Sequence, residues 1–178
     1  MSKTVYVVRH GQTDWNLEHR RQGRTDIELN ETGINQAHII KQTLADIPFD
    51  ICFSSPLKRA AKTATIICEK KIPLLYDELL VERCFGKTEG TIQANRPLAS
   101  DYTFGNEYND NTETWESILA RAKEFLDKIK DVEAENILVV SHGVFLKALH
   151  FTIIGYDENT DFLSWFLDNC KVEKYELD

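Results

Sequence analysis

Thr4-Val5-Tyr6-Val7-Val8-Arg9-His10-Gly11 is the stretch that decides the fold. Thr4 to Val8 is β-branched and aromatic, without the polar alternation of a half-exposed strand, so it reads as a strand buried on both faces. Such a strand belongs in a parallel sheet covered by helices. Asp50 to Ser54 and Asn136 to Ser141 repeat the pattern. Between the strands lie helical segments: about Gly33 to Ile47, with Thr32 as the expected cap; Leu57 to Lys71, with Pro56 at its start and Pro73 beyond its end; Thr114 to Lys130; and Val144 to Ile154. The Thr114–Lys130 segment is amphipathic, with Ile118, Leu119, Ala122, Phe125, Leu126 and Ile129 spaced for one face. Gly11 to Glu31 is polar and aperiodic and reads as a loop. Leu74 to Glu82 contains short strand-like pieces, and Phe162 to Leu167 and Lys171 to Leu177 read as terminal strands. Alternating strands and helices imply an α/β sandwich with a mostly parallel sheet.

In such sheets ligands bind beyond the carboxyl ends of the strands. Three strand ends qualify: Arg9-His10-Gly11, Ser54-Ser55-Pro56 and Ser141-His142-Gly143. Two of them place a histidine directly after a buried strand with a glycine behind it. The strand fixes the imidazole, and the glycine lets backbone N–H groups approach a ligand closely. Arg9 precedes His10, and Arg59 lies one turn into the helix that follows Ser54, within reach of the same crevice. A lone histidine is usually structural and a lone arginine usually solvated. Two strand-end histidines together with two arginines point instead to a functional site.

The bulk properties narrow the partners. With 178 residues, 42% hydrophobic and 28% charged, the chain suits one globular domain. A net charge of −8 argues against nucleic acid and against anionic membranes. The N-terminal apolar run is too short for a signal peptide or a membrane span, so a cytoplasmic location is expected. Cys52, Cys68, Cys84 and Cys170 form no CxxC pair and read as reduced, mostly buried thiols. Gly86-Lys87-Thr88 imitates the end of a P-loop, but Val81 stands where its first glycine belongs. His19, His38 and His150 have no partners at useful spacing. The basic run Arg20-Arg21 to Arg24 reads as a solvated loop or a phosphate-facing rim.

Val7-Val8-Arg9-His10-Gly11-Gln12-Thr13-Asp14-Trp15-Asn16 resembles the signature of the histidine phosphatase superfamily, the phosphoglycerate-mutase-like enzymes. The resemblance continues through Arg21 to Asp26, Leu29 to Gly33, Ser54 to Ala60, Glu82 to Gly86, Glu89-Gly90 and Ser141-His142-Gly143, in family order. It implies a three-layer α/β/α sandwich and a small-molecule phosphomonoester as substrate, with no metal and no cofactor. It further implies His10 as covalent nucleophile, Arg9 and Arg59 as phosphate clamps, His142 as the second phosphate-binding histidine and Glu82 as general acid. Gly11, Asn16, Gln22, Gly23 and Gly143 are the loop positions it places against the phosphate. The weaker alternative for Glu82 is a surface carboxylate paired with Arg83. The family's Gly-Glu-Ser segment is here Thr112-Glu113-Thr114, so only Glu113 matches.

Residues 1–178 thus read as one histidine phosphatase domain. An irregular insert at about 84–112 is either a substrate cap or, on the slightly stronger reading, a loop anchored by Arg96, Tyr102, Phe104 and Tyr108. Three functions remain open: a phosphomonoesterase acting on a small metabolite, a phosphoglycerate-type mutase, and a non-catalytic phosphate sensor. The insert is shorter than that of the cofactor-dependent mutases, which favours hydrolysis. The oligomeric state is not indicated.

Overall fold

Residues 2–92, 99–106, 108 and 111–177 are described by a computed structural model. Five strands form one sheet: β1 (Lys3–Arg9), β2 (Ile51–Ser54), β3 (Leu74–Tyr76), β4 (Asn136–Ser141) and β5 (Val172–Leu177). Their order is β3-β2-β4-β1-β5. The pairs β1–β4, β2–β4 and β2–β3 are parallel, and β5 runs antiparallel to β1. The helices are α1 (Asp14–Leu17), α2 (Glu31–Thr43), α3 (Lys58–Cys68), α4 (Trp115–Lys130) and α5 (Gly143–Ile154).

The pleat of the central strands sorts their side chains into two cores. Val5, Val7, Ile137, Val139 and Phe53 face α4 and α5, where Ile118, Ala122, Phe125, Phe145 and Leu149 meet them. Val8, Leu138, Val140 and Cys52 face α2 and α3, against Ala37, Ile40, Ala60 and Ala64. Burial on both faces is why these strands are almost wholly apolar, and it makes the molecule a three-layer α/β/α sandwich. No helix among the described residues is long and apolar enough to cross a membrane.

Adjacent strands β1 and β4 send their chains in opposite directions. From β1 the chain passes over β4 to β2, with α2 on one face; from β4 it returns past β1 to β5, with α5 on the other. The crevice opens at this switch point.

Local details correct the sequence expectations. Asn30, not Thr32, caps α2: its extended backbone lets its Oδ1 accept from the Gly33 N–H at 2.9 Å. The helix ends at Thr43, short of Ile47. The expected loop from Gly11 contains the single turn α1, closed by a reciprocal capping box between Thr13 and Asn16. Leu74 to Glu82 divides into β3 and a 3-10 turn over Glu78–Leu80. Phe162 to Leu167 is not a strand. Asp161 captures the N–H groups of Leu163 and Ser164 and the Ser164 hydroxyl, folding the segment into a turn, while Phe162 and Leu167 enter the core. Arg96 lies outside the described residues.

Gly33, in the first turn of α2, lies against the loop that leaves β1. A Cβ there would stand 2.1 Å from the Gln12 carbonyl oxygen, and one on Gly11 would stand 2.4 Å from the Gly33 carbonyl oxygen. Backbone meets backbone, so neither neighbour can rotate away. Gly33→Ala is expected to cost about 1–3 kcal/mol through this clash. Helix propensity alone would favour alanine by about 1 kcal/mol, so an unchanged or raised urea midpoint would refute the steric argument.

Candidate active site

His10 follows β1 directly, its N–H bonded to the Ser141 carbonyl at 3.0 Å. His142 follows β4 and forms the N-cap of α5. Adjacent parallel strands therefore bring the two imidazoles together, with ring centroids 5.2 Å apart. His10 Nδ1 lies 2.7 Å from the Gly11 carbonyl. A carbonyl only accepts, so Nδ1 carries the proton and Nε2 keeps its lone pair. His142 Nε2 lies 2.8 Å from the Ser55 hydroxyl, while its Nδ1 has no protein partner among the described residues.

The arginines flank these rings, Arg59 buried and Arg9 half-buried with its Nε shielded. Arg59, fully enclosed, donates to the carbonyls of Thr25 at 2.9 Å and Gly23 at 2.6 Å. Gly23 adopts φ 54°, and a Cβ there would strike the Glu89 carboxylate at 2.1 Å. That carboxylate accepts from the N–H groups of Arg24, Thr25 and Phe85, folding the Gln22–Thr25 loop over the crevice. Arg9 donates to the Leu167 carbonyl at 3.1 Å and lies over the Phe166 ring, 4.9 Å from its centroid. Gly143 lies against Arg9, close enough that a Cβ there would be in van der Waals contact with the guanidinium at 3.4 Å. The Nε atoms of Arg9 and Arg59 have no protein partner among the described residues, nor has Gln22 Oε1.

Glu82 is buried, not a surface group paired with the Arg83 side chain. Its Oε1 accepts from the N–H groups of Arg83 and Phe145, and its Oε2 accepts from Val144 at 3.1 Å. It sits at the amino end of α5, close enough to offset the charges of both Arg9 and Arg59. The Arg83 guanidinium goes elsewhere, to the carbonyls of Glu113 and Asp101 and to the Tyr108 hydroxyl. Glu113 is bound by Arg121 and Arg24.

His10, His142, Arg9, Arg59, Glu82, Gly11, Gln22, Gly23 and Gly143 therefore gather at one crevice. Asn16 adjoins it differently. Its Oδ1 is occupied by the Thr13 N–H and hydroxyl, so only its Nδ2 is left for a ligand. Of the insert's aromatic residues, Tyr102 packs edge-on against Trp115, and Phe104 against Tyr156 and Phe162, so both hold the loop to the body. Sequence reasoning gave no role to Ser55, Thr63 or the segment Phe166–Cys170. Thr63 Oγ1 accepts from the Gly11 N–H at 3.1 Å and donates to the Arg59 carbonyl at 2.7 Å. A buried threonine one helical turn after Arg59 was its only sequence signal.

Electrostatics follow from this packing. Burial pulls Arg59 down to about 10, with Glu82, Asp26 and Glu89 opposing, so it stays charged at neutral pH. Burial, reinforced by Arg59 and Arg9, holds His10 well below the ordinary histidine value of 6.5. His142 is lowered in the same way, by burial first and then by Arg59, His10 and Arg9. The crevice thus presents two cations and two neutral imidazoles.

A family model of the histidine phosphatase superfamily (branch 1) matches residues 5–178. The chain belongs to this superfamily. It is 37% identical over 155 residues to the uncharacterized phosphatase PhoE of Bacillus subtilis, covering 86% of this chain and 78% of that protein. It is 33% identical over 162 residues to a 2,3-bisphosphoglycerate-dependent phosphoglycerate mutase of Cytophaga hutchinsonii, covering 82% and 74%. Among solved structures, phosphoserine phosphatase from Entamoeba histolytica in complex with 3-phosphoglyceric acid superposes with a TM-score of 0.81 at 29% identity, covering 97% and 89%. The superfamily relatives thus include proteins named as phosphatases and as mutases.

The lowered histidines make a stability prediction. Below about pH 6.5 the unfolded chain takes up protons that native His10 and His142 refuse, so stability falls as pH falls through that window. The urea midpoint should drop between about pH 7.5 and 5 more steeply in the wild type than in a His10→Asn, His142→Asn double variant. Equal slopes would show that the two rings are not held neutral by the fold.

Proposed function

We propose that the protein is a metal-independent phosphomonoesterase that hydrolyses a small phosphorylated metabolite through a phosphohistidine on His10. The observation that carries this reading is the state of His10. Nδ1 is tied to Gly11, Nε2 is left as a lone pair, and the ring is flanked by buried nitrogens of Arg9, Arg59 and His142 that lack protein partners among the described residues.

In this reading Arg9 and Arg59 clamp the phosphoryl oxygens, offering rigid donors that stay charged. With the Ser55 hydroxyl donating to His142 Nε2, Nδ1 bears the ring proton and donates to a further oxygen. Gln22, the Asn16 amide and the backbone at Gly11, Gly23 and Gly143 complete the cradle. His10 Nε2 attacks phosphorus as the bond to the leaving oxygen breaks, and Glu82 passes its proton to that oxygen. Water then attacks the phosphohistidine, and Glu82 takes a proton from it. The N–P bond breaks, inorganic phosphate leaves, and the Nε2 lone pair is restored. Glu82 Oε2 accepts a single backbone bond and so keeps a lone pair for this traffic. The guanidinium pair beside both rings supplies the positive charge and would repel a metal ion placed there.

Phosphatase and mutase differ in the acceptor. A mutase must exclude water until a second hydroxyl arrives. Here Tyr102 and Phe104 of the insert pack against the body of the protein, which favours water. Rapid-quench experiments with EDTA present should show an acid-labile phosphoenzyme, absent in His10→Ala, that decays to inorganic phosphate. Loss of turnover in EDTA with recovery on adding a divalent metal would overturn the metal-free mechanism. A phosphoenzyme stable for minutes that discharges onto added 3-phosphoglycerate would establish the mutase instead.

Glu82→Gln tests the acid. Hydrolysis of alkyl phosphates should fall by about 10²–10⁴, whereas nitrophenyl phosphate, whose phenolate leaves without a proton, should lose far less. Equal losses on both substrates would remove Glu82 from the role.

A further inference from the structure

The ladder between β1 and β5 runs from Lys3–Leu177 to Val8–Val172 and stops there. Beyond it Cys170 adopts a left-handed backbone, φ 51°, and the chain turns away from the sheet. The Cys170 N–H still reaches the Arg9 carbonyl at 2.9 Å. The next acceptor, just past the end of β1, is the His10 carbonyl, and it is met by a side chain: Asn169 Nδ2 donates to it at 2.8 Å. The same amide nitrogen lies 3.4 Å from Asn16 Oδ1, the oxygen that closes the α1 turn. Asn169 thus extends the β1 ladder one step past the point where β5 leaves.

We propose that Asn169 is a positioning residue for His10, fixing the aim of its Nε2 without touching the substrate. The proposal rests on the reading of His10 as nucleophile. The peptide between His10 and Gly11 carries two polar groups. Asn169 holds its oxygen, and Thr63 holds its N–H at 3.1 Å. A peptide pinned at both ends cannot rotate, and its rotation would change the backbone angles of His10 and swing the imidazole. The bond from Nδ1 to the Gly11 carbonyl depends on the same local geometry. Arg59 is secured separately, by the carbonyls of Gly23 and Thr25, so the loss of Asn169 leaves that part of the clamp in place. Asn169 is only half-buried, which separates its effect on aim from any large contribution to the core.

This separation defines the test. Inorganic phosphate needs the clamp, whereas orthovanadate also needs a nucleophile aimed at the metal-oxyanion centre, because it mimics the five-coordinate transition state. Inhibition constants for both are measured with nitrophenyl phosphate as substrate, alongside rapid-quench phosphorylation of His10, in the full chain and in Asn169→Ala and Asn169→Asp. Asn169→Asp keeps the side-chain shape and loses the donor, so it serves if Asn169→Ala lowers the thermal midpoint. Its added charge repels phosphate, the more highly charged anion at neutral pH, at least as much as vanadate, so it cannot by itself raise the ratio. Expected are a ratio of vanadate to phosphate constants raised about 10-fold or more in both variants, and His10 phosphorylation slowed by about 10–100-fold. A wild-type ratio in the variants, or equal weakening of both inhibitors, overturns the proposal. If the wild type forms no phosphoenzyme and binds vanadate no better than phosphate, the nucleophile reading itself fails and the role of Asn169 falls with it.

Discussion

Two guanidinium groups set close together, Arg59 fully enclosed and Arg9 half-buried, set the terms for the rest of the crevice. Removing the Arg59 group from water costs on the order of several kcal/mol, and Arg9 also opposes its charge. Among the described residues neither is in direct contact with a carboxylate. Arg59 is held by two loop carbonyls, Arg9 by one carbonyl and the face of Phe166, and Glu82 acts on both from a distance. The loops around the site are shaped by this need. The Gln22–Thr25 loop turns its carbonyls toward Arg59, and Glu89 pins that loop in place from outside.

Burial first, and then these two charges, decide the state of the histidines. An imidazole so enclosed stays neutral, and His10 keeps its Nε2 lone pair at neutral pH. The crevice therefore sets a positive field beside an unprotonated ring. Glu82, buried at the amino end of α5, tempers this field together with Asp26, Glu89 and Asp168, and its position follows from where α5 begins after His142.

Much of this was legible in the chain. The apolar run before His10, the matching run before His142 and the glycines behind them located the crevice, because a doubly buried strand admits few polar residues and those it carries at its end face a ligand. Arg59 was legible from its place one turn into a helix after such a strand. The segment Phe162–Leu167 was misread as a strand, since a short run of aromatic residues and leucines also arises where a turn sends two side chains inward and leaves one over an arginine. The cap of α2 was misplaced by two residues because Asn30 and Thr32 are both good caps, and only the backbone angles select between them.

The sequence by itself determined the layered α/β class and which strand ends carry the candidate site residues, since periodicity and strand-end chemistry are local properties. Tertiary structure alone decided how those residues are held. Asn169 stands 159 positions from His10, Phe166 touches Arg9 across a comparable span, and Thr63 joins Gly11 to the helix of Arg59. Such contacts have no period and no motif. They depend on where β5 stops pairing with β1 and how closely Gly33 lets α2 approach, and those distances exist only once the sheet has closed.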